Sequence, residues 1–442
     1  MSSPVSTAAW ATSAKLIGLT KHTKHRHVPS PVSPYFVAPQ AQPTLSFKSI
    51  ALAAAIARTA TTWDDAPVAL LDGLQQSALI ELETLLQDGA AFALESHFKF
   101  VADTAGSQFA AKVGAGIAHL YMDALGYAWR ANAACLSSSL DPHADFIYEG
   151  GNVSGHGVVL AEAHGSFAKD ATGTKIANAA KRKYIKQVKP FIAKPSPFGD
   201  IIHGYSIAFG SKPTVVGSFL AVSETRISKP RGTKTASRGA SQAAAPPEDV
   251  SAPMALATHR SNFLLTGAPE VTRWIDWLRS PDSAAPERYE IPFMRLDYAG
   301  RAYITAAPWF GRPDGSPWFF EDFIDHLGWW RFARRAHLSL ALRSRADFGW
   351  FAIEQKAGVS FLNALSNAIR EGERRMPGRI VLPTFEPTGF ELSTAAGVDR
   401  READEPYQYA LFRDGLALLG EPFRGRPRDV VVWSPVGGVV LG

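Results

Sequence analysis

Hydrophobic positions recur at helical spacing in two early stretches of the chain. From 65 to 99, VALLDGLQQSALIELETLLQDGAAFALE places its leucines on one side of a helix that ends near Asp88-Gly89. QFAAKVGAGIAHLYMDALGYAWR gives a second helix over 108–130. Its KVGAG lacks the rest of a dinucleotide-binding fingerprint and carries no weight as one. The period then shortens. ADFIYE (144–149), GVVLAEAHGS (157–166), GYSIAFGS (204–211) and VVGSFLAVSE (215–224) are enriched in β-branched and aromatic residues and bounded by turn residues, so they predict strands. EGGNVSGHG (149–157) is a hairpin-like connection. KIANAAKRKYIKQVKPFI predicts a helix over 175–192, closed by Pro190.

The order helix, strand, strand, helix, strand, strand predicts the α/β (α+β) class, a mixed sheet flanked by helices. Beyond it, 226–252 is rich in Ser, Ala, Gly and Pro and is expected as a linker. Residues 253–442 are expected to form a second mixed α+β domain. Its helices are predicted at 271–279, 319–344 and 360–375, and its strands at 289–307 and 428–435. Residues 1–45, with the basic KHTKHRH at 21–27, are expected as a flexible arm, and 46–225 as a helical segment plus the sheet core.

Composition changes this picture little. Of 442 residues 46 % are hydrophobic, which suits a globular chain, and the single cysteine excludes an internal disulfide framework. IALAAAIA (50–57) is too short to span a bilayer, so no membrane association is expected and a cytoplasmic location is the default. The net charge of +5 matters less than its distribution. Lys169, Lys175, Lys181, Arg182, Lys183, Lys186, Lys189 and Lys194 stand against one acid, Asp170. Such a cluster suits a polyanion such as DNA, with Lys175, Lys181, Lys183 and Lys186 as the expected contacts. A merely solvated helix face is the plain alternative.

Alternation along 157–166 puts Val158, Leu160, Glu162 and His164 on one face. On the preceding strand Asp145, Ile147 and Glu149 share a face, and a hairpin that sets Asp145 beside Glu162 brings two carboxylates together near an imidazole. Mg²⁺ (or Mn²⁺) resolves their repulsion, since a hard cation takes carboxylate oxygens and keeps its waters. A mixed N/O site for a transition metal, built from His143, Asp145, His156, Glu162 and His164, is a further option. HExxH, GxSxG and a CxxC deaminase motif are absent.

PHADFIYEGGNVSGHGVVLAEAHGS and the helix after it resemble the PD-(D/E)xK (restriction-endonuclease-like) nuclease superfamily over about 108–211. That core runs helix–strand–strand–strand–helix–strand. LAEAHGS is similar to the LxEAKGS of bacterial members, with His164 where the Lys stands. The resemblance implies a metal-dependent phosphodiesterase acting on DNA. Asp145 and Glu162 would be metal ligands, His164 the third catalytic residue and Gln187 a supporting one. In some members the Lys has moved to the next helix, a part open to Lys181 or Lys183. A degenerate nuclease fold that only binds nucleic acid or protein is the alternative, and a structural two-domain protein is a third. The C-terminal domain would recognise substrate or a protein partner. There GWWRFARRAHLSLALRS (328–344) mixes aromatic and basic residues.

Overall fold

The computed structural model describes residues 5–6, 14–27, 38–60, 81–82, 84–87, 89–136, 142–150, 157–213, 215–226, 249–280, 284–306, 348–371, 376–393, 408–420 and 427–441. The expected helix at 319–344, the tip of the 149–157 connection and most of the 65–99 and 226–252 segments lie outside them.

The chain forms a mixed α+β structure. Its first half contributes β1 (Lys15–Arg26), β2 (Thr44–Phe47), α1 (Ser49–Ala60), α2 (Asp103–Ala124), β3 (Arg130–Asn132), β4 (Phe146–Glu149), β5 (Gly157–Ser166), α3 (Gly173–Lys183), β6 (Gly199–Ser211) and β7 (Ser218–Arg226). One sheet runs in the order Phe390–Ser393, β2, β1, β7, β6, β5, β4, β3. Within it β5 pairs with β6, and β1 with β7, in parallel; the other neighbours are antiparallel. The parallel step from β5 to β6 needs a crossover, and α3 supplies it. A second, antiparallel sheet gathers Ile291–Tyr298, Arg301–Ala306, Phe348–Glu354, Tyr409–Leu411, Leu416–Leu419, Pro427–Ser434 and Gly438–Leu441. Packed with it are the helices Ala252–Leu265 (α4), Pro269–Arg279 and Gln355–Arg370.

Two expectations about organisation change. The basic stretch within 1–45 is no flexible arm: β1 is an internal strand between β2 and β7. Four of its basic side chains have partners there, and Lys21 and Arg26 are exposed. Lys15 Nζ is buried against three backbone carbonyls, Gln87 O (2.6 Å), Gly89 O (2.7 Å) and Ala91 O (3.1 Å). His22 and Lys24 meet the buried Glu224 at 3.3 and 2.9 Å, and His25 stacks on Tyr184 with ring centroids 4.5 Å apart. The second change concerns the C-terminal part, which is not separate. Phe390–Ser393 joins the first sheet beside β2, and one hydrophobic cluster runs continuously from Ile17 to Trp433.

Local choices in the sequence place the elements around β5. Gly126 adopts φ 108° just past the end of α2, a left-handed cap that turns the chain toward β3. Thr172 caps α3, its Oγ1 accepting from Lys175 N. The helix predicted over 175–192 is α-helical only to Lys183. It then widens into a π turn at Tyr184–Val188 and tightens into a 3₁₀ turn containing Pro190. The KVGAG segment has a packing role. A Cβ on Gly165 would sit 1.7 Å from Ala110 O, and one on Gly114 would sit 2.5 Å from Gly165 N. With neither Cβ present, α2 lies directly on the end of β5.

Gly165→Ala therefore lowers the unfolding free energy by about 3 kcal/mol or more, because the clash is with backbone and cannot relax by a rotamer change. Gly18→Ala, where nothing lies within 4 Å, changes it by less than about 1 kcal/mol. Urea unfolding of the two variants checks the contrast.

Candidate active site

The antiparallel register of β4 and β5 pairs Phe146 with Ala161 and Ile147 with Leu160. One step further, Asp145 stands opposite Glu162. Ala163 N donates to Asp145 Oδ2 at 2.8 Å, which fixes the carboxyl of Asp145 against β5. The side-chain hydrogen bond between Asp145 and Glu162 brings the two carboxyl groups together as the alternation predicts. Glu162 is 1 % exposed, whereas Asp145 is exposed.

Lys183 completes the group. It is the last residue of α3, and its Nζ lies 2.9 Å from Glu162 Oε1. Grouped by charge with the exposed bases of the helix, it is instead turned inward to the carboxyl pair. Lys181, also open to the relocated-lysine role, is exposed, as is Lys186; Lys175 is exposed and paired with Asp170. Lys181 lies with Lys189 in the field of His25, away from the carboxyl pair. Of the four lysines expected to meet nucleic acid, Lys175, Lys181 and Lys186 are exposed and Lys183 is turned to the carboxyl pair.

Electrostatics separates the two carboxyl groups. Burial pushes the Glu162 pKa up to about 8, and the adjacent Asp145 adds to the rise; Lys183 opposes it. Asp145 is also raised, chiefly by desolvation, but the hydrogen bonds from Ala163 and Glu162 pull it back. One proton, held on Glu162 and shared with Asp145, satisfies the pair at neutral pH. Otherwise Glu162 Oε2 meets no donor among the described residues.

His164 is partly buried, and desolvation, then Lys183 and Arg182, lower its pKa. The lowered pKa favours its neutral form, and the cationic group in contact with Glu162 is Lys183. Gln187, on the π turn, donates from Nε2 to His143 O at 2.8 Å. This bond ties the π turn to the segment that leads into Asp145. Ser206 was not visible in the sequence pattern. It pairs in register with Glu162 across β5 and β6, and its buried Oγ has no partner among the described residues. Only the register of a parallel pair could have pointed to it.

The donor set fits Mg²⁺ or Mn²⁺. Asp145 and Glu162 offer hard oxygens side by side, the orphaned Oε2 included, and such ions keep several waters besides one or two carboxylates. The broader transition-metal cluster does not form: no group of three His, Cys, Asp or Glu side chains suited to a metal occurs among the described residues, and His156 lies outside them.

A glutamate whose pKa is raised on folding holds a proton that the unfolded chain has released. Stability therefore falls as pH rises from about 4.5 toward 8. Glu162→Gln removes that dependence, leaving the protein about 1–3 kcal/mol more stable than wild type at pH 8–9 and nearly equal at pH 5. Denaturant melts across pH check the sign.

No helix among the described residues is long and apolar enough to cross a membrane. No protein-family model matches the chain, and no curated protein or solved structure matches it either.

Proposed function

We propose that the chain is a metal-dependent nuclease that hydrolyses phosphodiester bonds of DNA, with Asp145, Glu162 and Lys183 at its centre. The observation that carries this reading is the 2.9 Å contact of Lys183 with Glu162, beside a second carboxyl group on the neighbouring strand. The acid–acid–lysine set of the PD-(D/E)xK resemblance is thereby complete without a lysine at position 164. The succession α2, β3, β4, β5, α3, β6, with β5 parallel to β6, supports the same reading, since the resemblance implies that order.

The chain's residues would divide the work as follows. Asp145 and Glu162 would hold Mg²⁺ or Mn²⁺, which when bound polarises the scissile phosphate and acidifies an attacking water. Glu162 gives up its proton to do so. Lys183, released from full pairing with Glu162, presents a fixed positive charge to a phosphate oxygen and orients the water. His164 is neutral and within the same face, so it can accept a proton. Gln187 keeps the approach to Asp145 in place. Lys175, Lys181 and Lys186 line the outer side of the crossover segment and would neutralise backbone phosphates.

One observation favours the second reading, a nuclease-like fold that binds without cutting: Lys183 and a shared proton already compensate the carboxyl pair without any ion. The two readings separate in a cleavage assay on DNA with Mg²⁺ or Mn²⁺. The nuclease reading expects wild type to cut, and Glu162→Ala or Lys183→Met to lose about 10²-fold or more in rate. His164→Ala loses about 10-fold, as for a proton acceptor that water partly replaces. Binding that weakens with salt, with no cleavage by wild type under any of these conditions, would instead establish the binding reading. In either case, replacing Lys181 and Lys186 together by Ala reduces the salt slope of DNA binding by about two.

A further inference from the structure

Where the two sheets meet, the chain buries a second set of charges. Arg58 is fully buried and pairs with Asp414, which also accepts from Asn262 Nδ2 at 2.9 Å and Leu416 N at 3.2 Å. Asp123 is fully buried and is taken up by Arg413, whose Nε donates to Asp123 O at 2.8 Å and whose N lies 3.4 Å from both carboxyl oxygens. Arg413 Nη1 reaches Glu386 at 3.4 Å. Asp414 is thereby committed to Arg58, whereas the Asp123 carboxyl, whose pKa burial raises to about 7, meets only the Arg413 backbone N–H.

A third guanidinium, that of Arg130 on β3, is left over. It is 1 % exposed. Its Nη2 donates to Arg58 O and Ser261 Oγ, each at 3.2 Å, and these acceptors are neutral. Its Nε and Nη1 meet no acceptor among the described residues. Burial and the nearby Arg58 pull its pKa down to about 9, and Asp414 and Asp123 only partly offset them, so it remains charged at neutral pH. Beside it His119 is fully buried, with Nδ1 3.0 Å from Tyr148 Oη and Nε2 unpartnered among the described residues. In the tautomer in which Tyr148 donates to Nδ1, the ring proton on Nε2 is another free donor.

A buried guanidinium with two idle N–H groups lacks hydrogen-bond acceptors there and has only the partial counter-charge of Asp414 and Asp123. Ordered water supplies the acceptors but no charge. We propose that Arg130 binds a small inorganic anion of the chloride class through its Nε–H and Nη1–H, with His119 beside it. The anion completes the neutralisation of the polar cluster shared by α1, α2, β3, α4 and the turn at Arg413–Asp414. It thereby joins the two sheets, and it serves the fold rather than the chemistry at Glu162.

The test uses the full chain. Melting temperature is followed against sodium chloride, with sodium gluconate at matched ionic strength as the reference. Wild type should gain about 2–4 °C in a saturable, chloride-specific way. Arg130→Met, which keeps the side-chain bulk and removes the charge, should show identical curves in the two salts. Because that variant can fail to fold, crystals of wild type grown with bromide give an independent readout, an anomalous peak within hydrogen-bonding distance of Arg130 Nε. Coincident chloride and gluconate curves for wild type, or water alone at Arg130 in the bromide crystals, would overturn the proposal.

Discussion

Two carboxyl groups on adjacent strands, one of them sealed from solvent, cannot both be ionised without positive charge between or beside them. That constraint organises the first half of the molecule. Asp145 and Glu162 are brought together by the register of β4 and β5, and the fold answers their repulsion in two ways. Lys183 reaches back from the end of α3 to one oxygen of Glu162, and a proton stays on Glu162 where an ordinary glutamate would have lost it. Both are exchangeable. Under the proposed function a divalent cation would displace the proton, and the lysine would turn to an incoming phosphate. A site balanced by replaceable charges suits catalysis or anion recognition better than a purely structural role.

The position of Lys183 depends in turn on backbone features some distance away. Close packing of α2 against the end of β5, possible only with glycine at 114 and 165, fixes the strand that carries Glu162. Thr172 starts α3, and the π turn at Tyr184–Val188 ends it, so that Lys183 is the last α-helical residue and Gln187 swings toward His143. π turns are uncommon and recur at functional sites. Here the widened turn sends neighbouring residues of one basic segment in different directions. Lys183 faces the carboxyl pair, whereas Lys181 and Lys186 face solvent.

Much of this was legible in the sequence, because a two-residue period is a strong signal. Alternation alone put Glu162 and His164 on one face and Asp145 opposite, and the helix after β5 was visible from its composition. Choosing the lysine was not possible from the text. Lys181 and Lys183 differ by two positions on a helix, and only the three-dimensional path of α3 decides between them. The N-terminal strand is not legible in the sequence because its partners are remote. KHTKHRH looks solvated until Glu224 and Tyr184, about 160–200 residues away in sequence, supply its ion pairs and ring stack. The tie of the C-terminal part to the first sheet is equally hidden, since the strand that makes it, Phe390–Ser393, is only four residues long. Short strands carry little periodic signal.

The most direct test of the central claim is calorimetric titration of the wild-type protein with Mn²⁺ in buffers of different ionisation enthalpy. If Asp145 and Glu162 form a cation site held closed by one proton, binding at pH 7 releases about one proton per ion. That release fades as pH rises past the raised pKa of Glu162, and Glu162→Gln abolishes it. Binding without proton release, or a Glu162→Gln variant that binds Mn²⁺ as wild type does, would contradict the account.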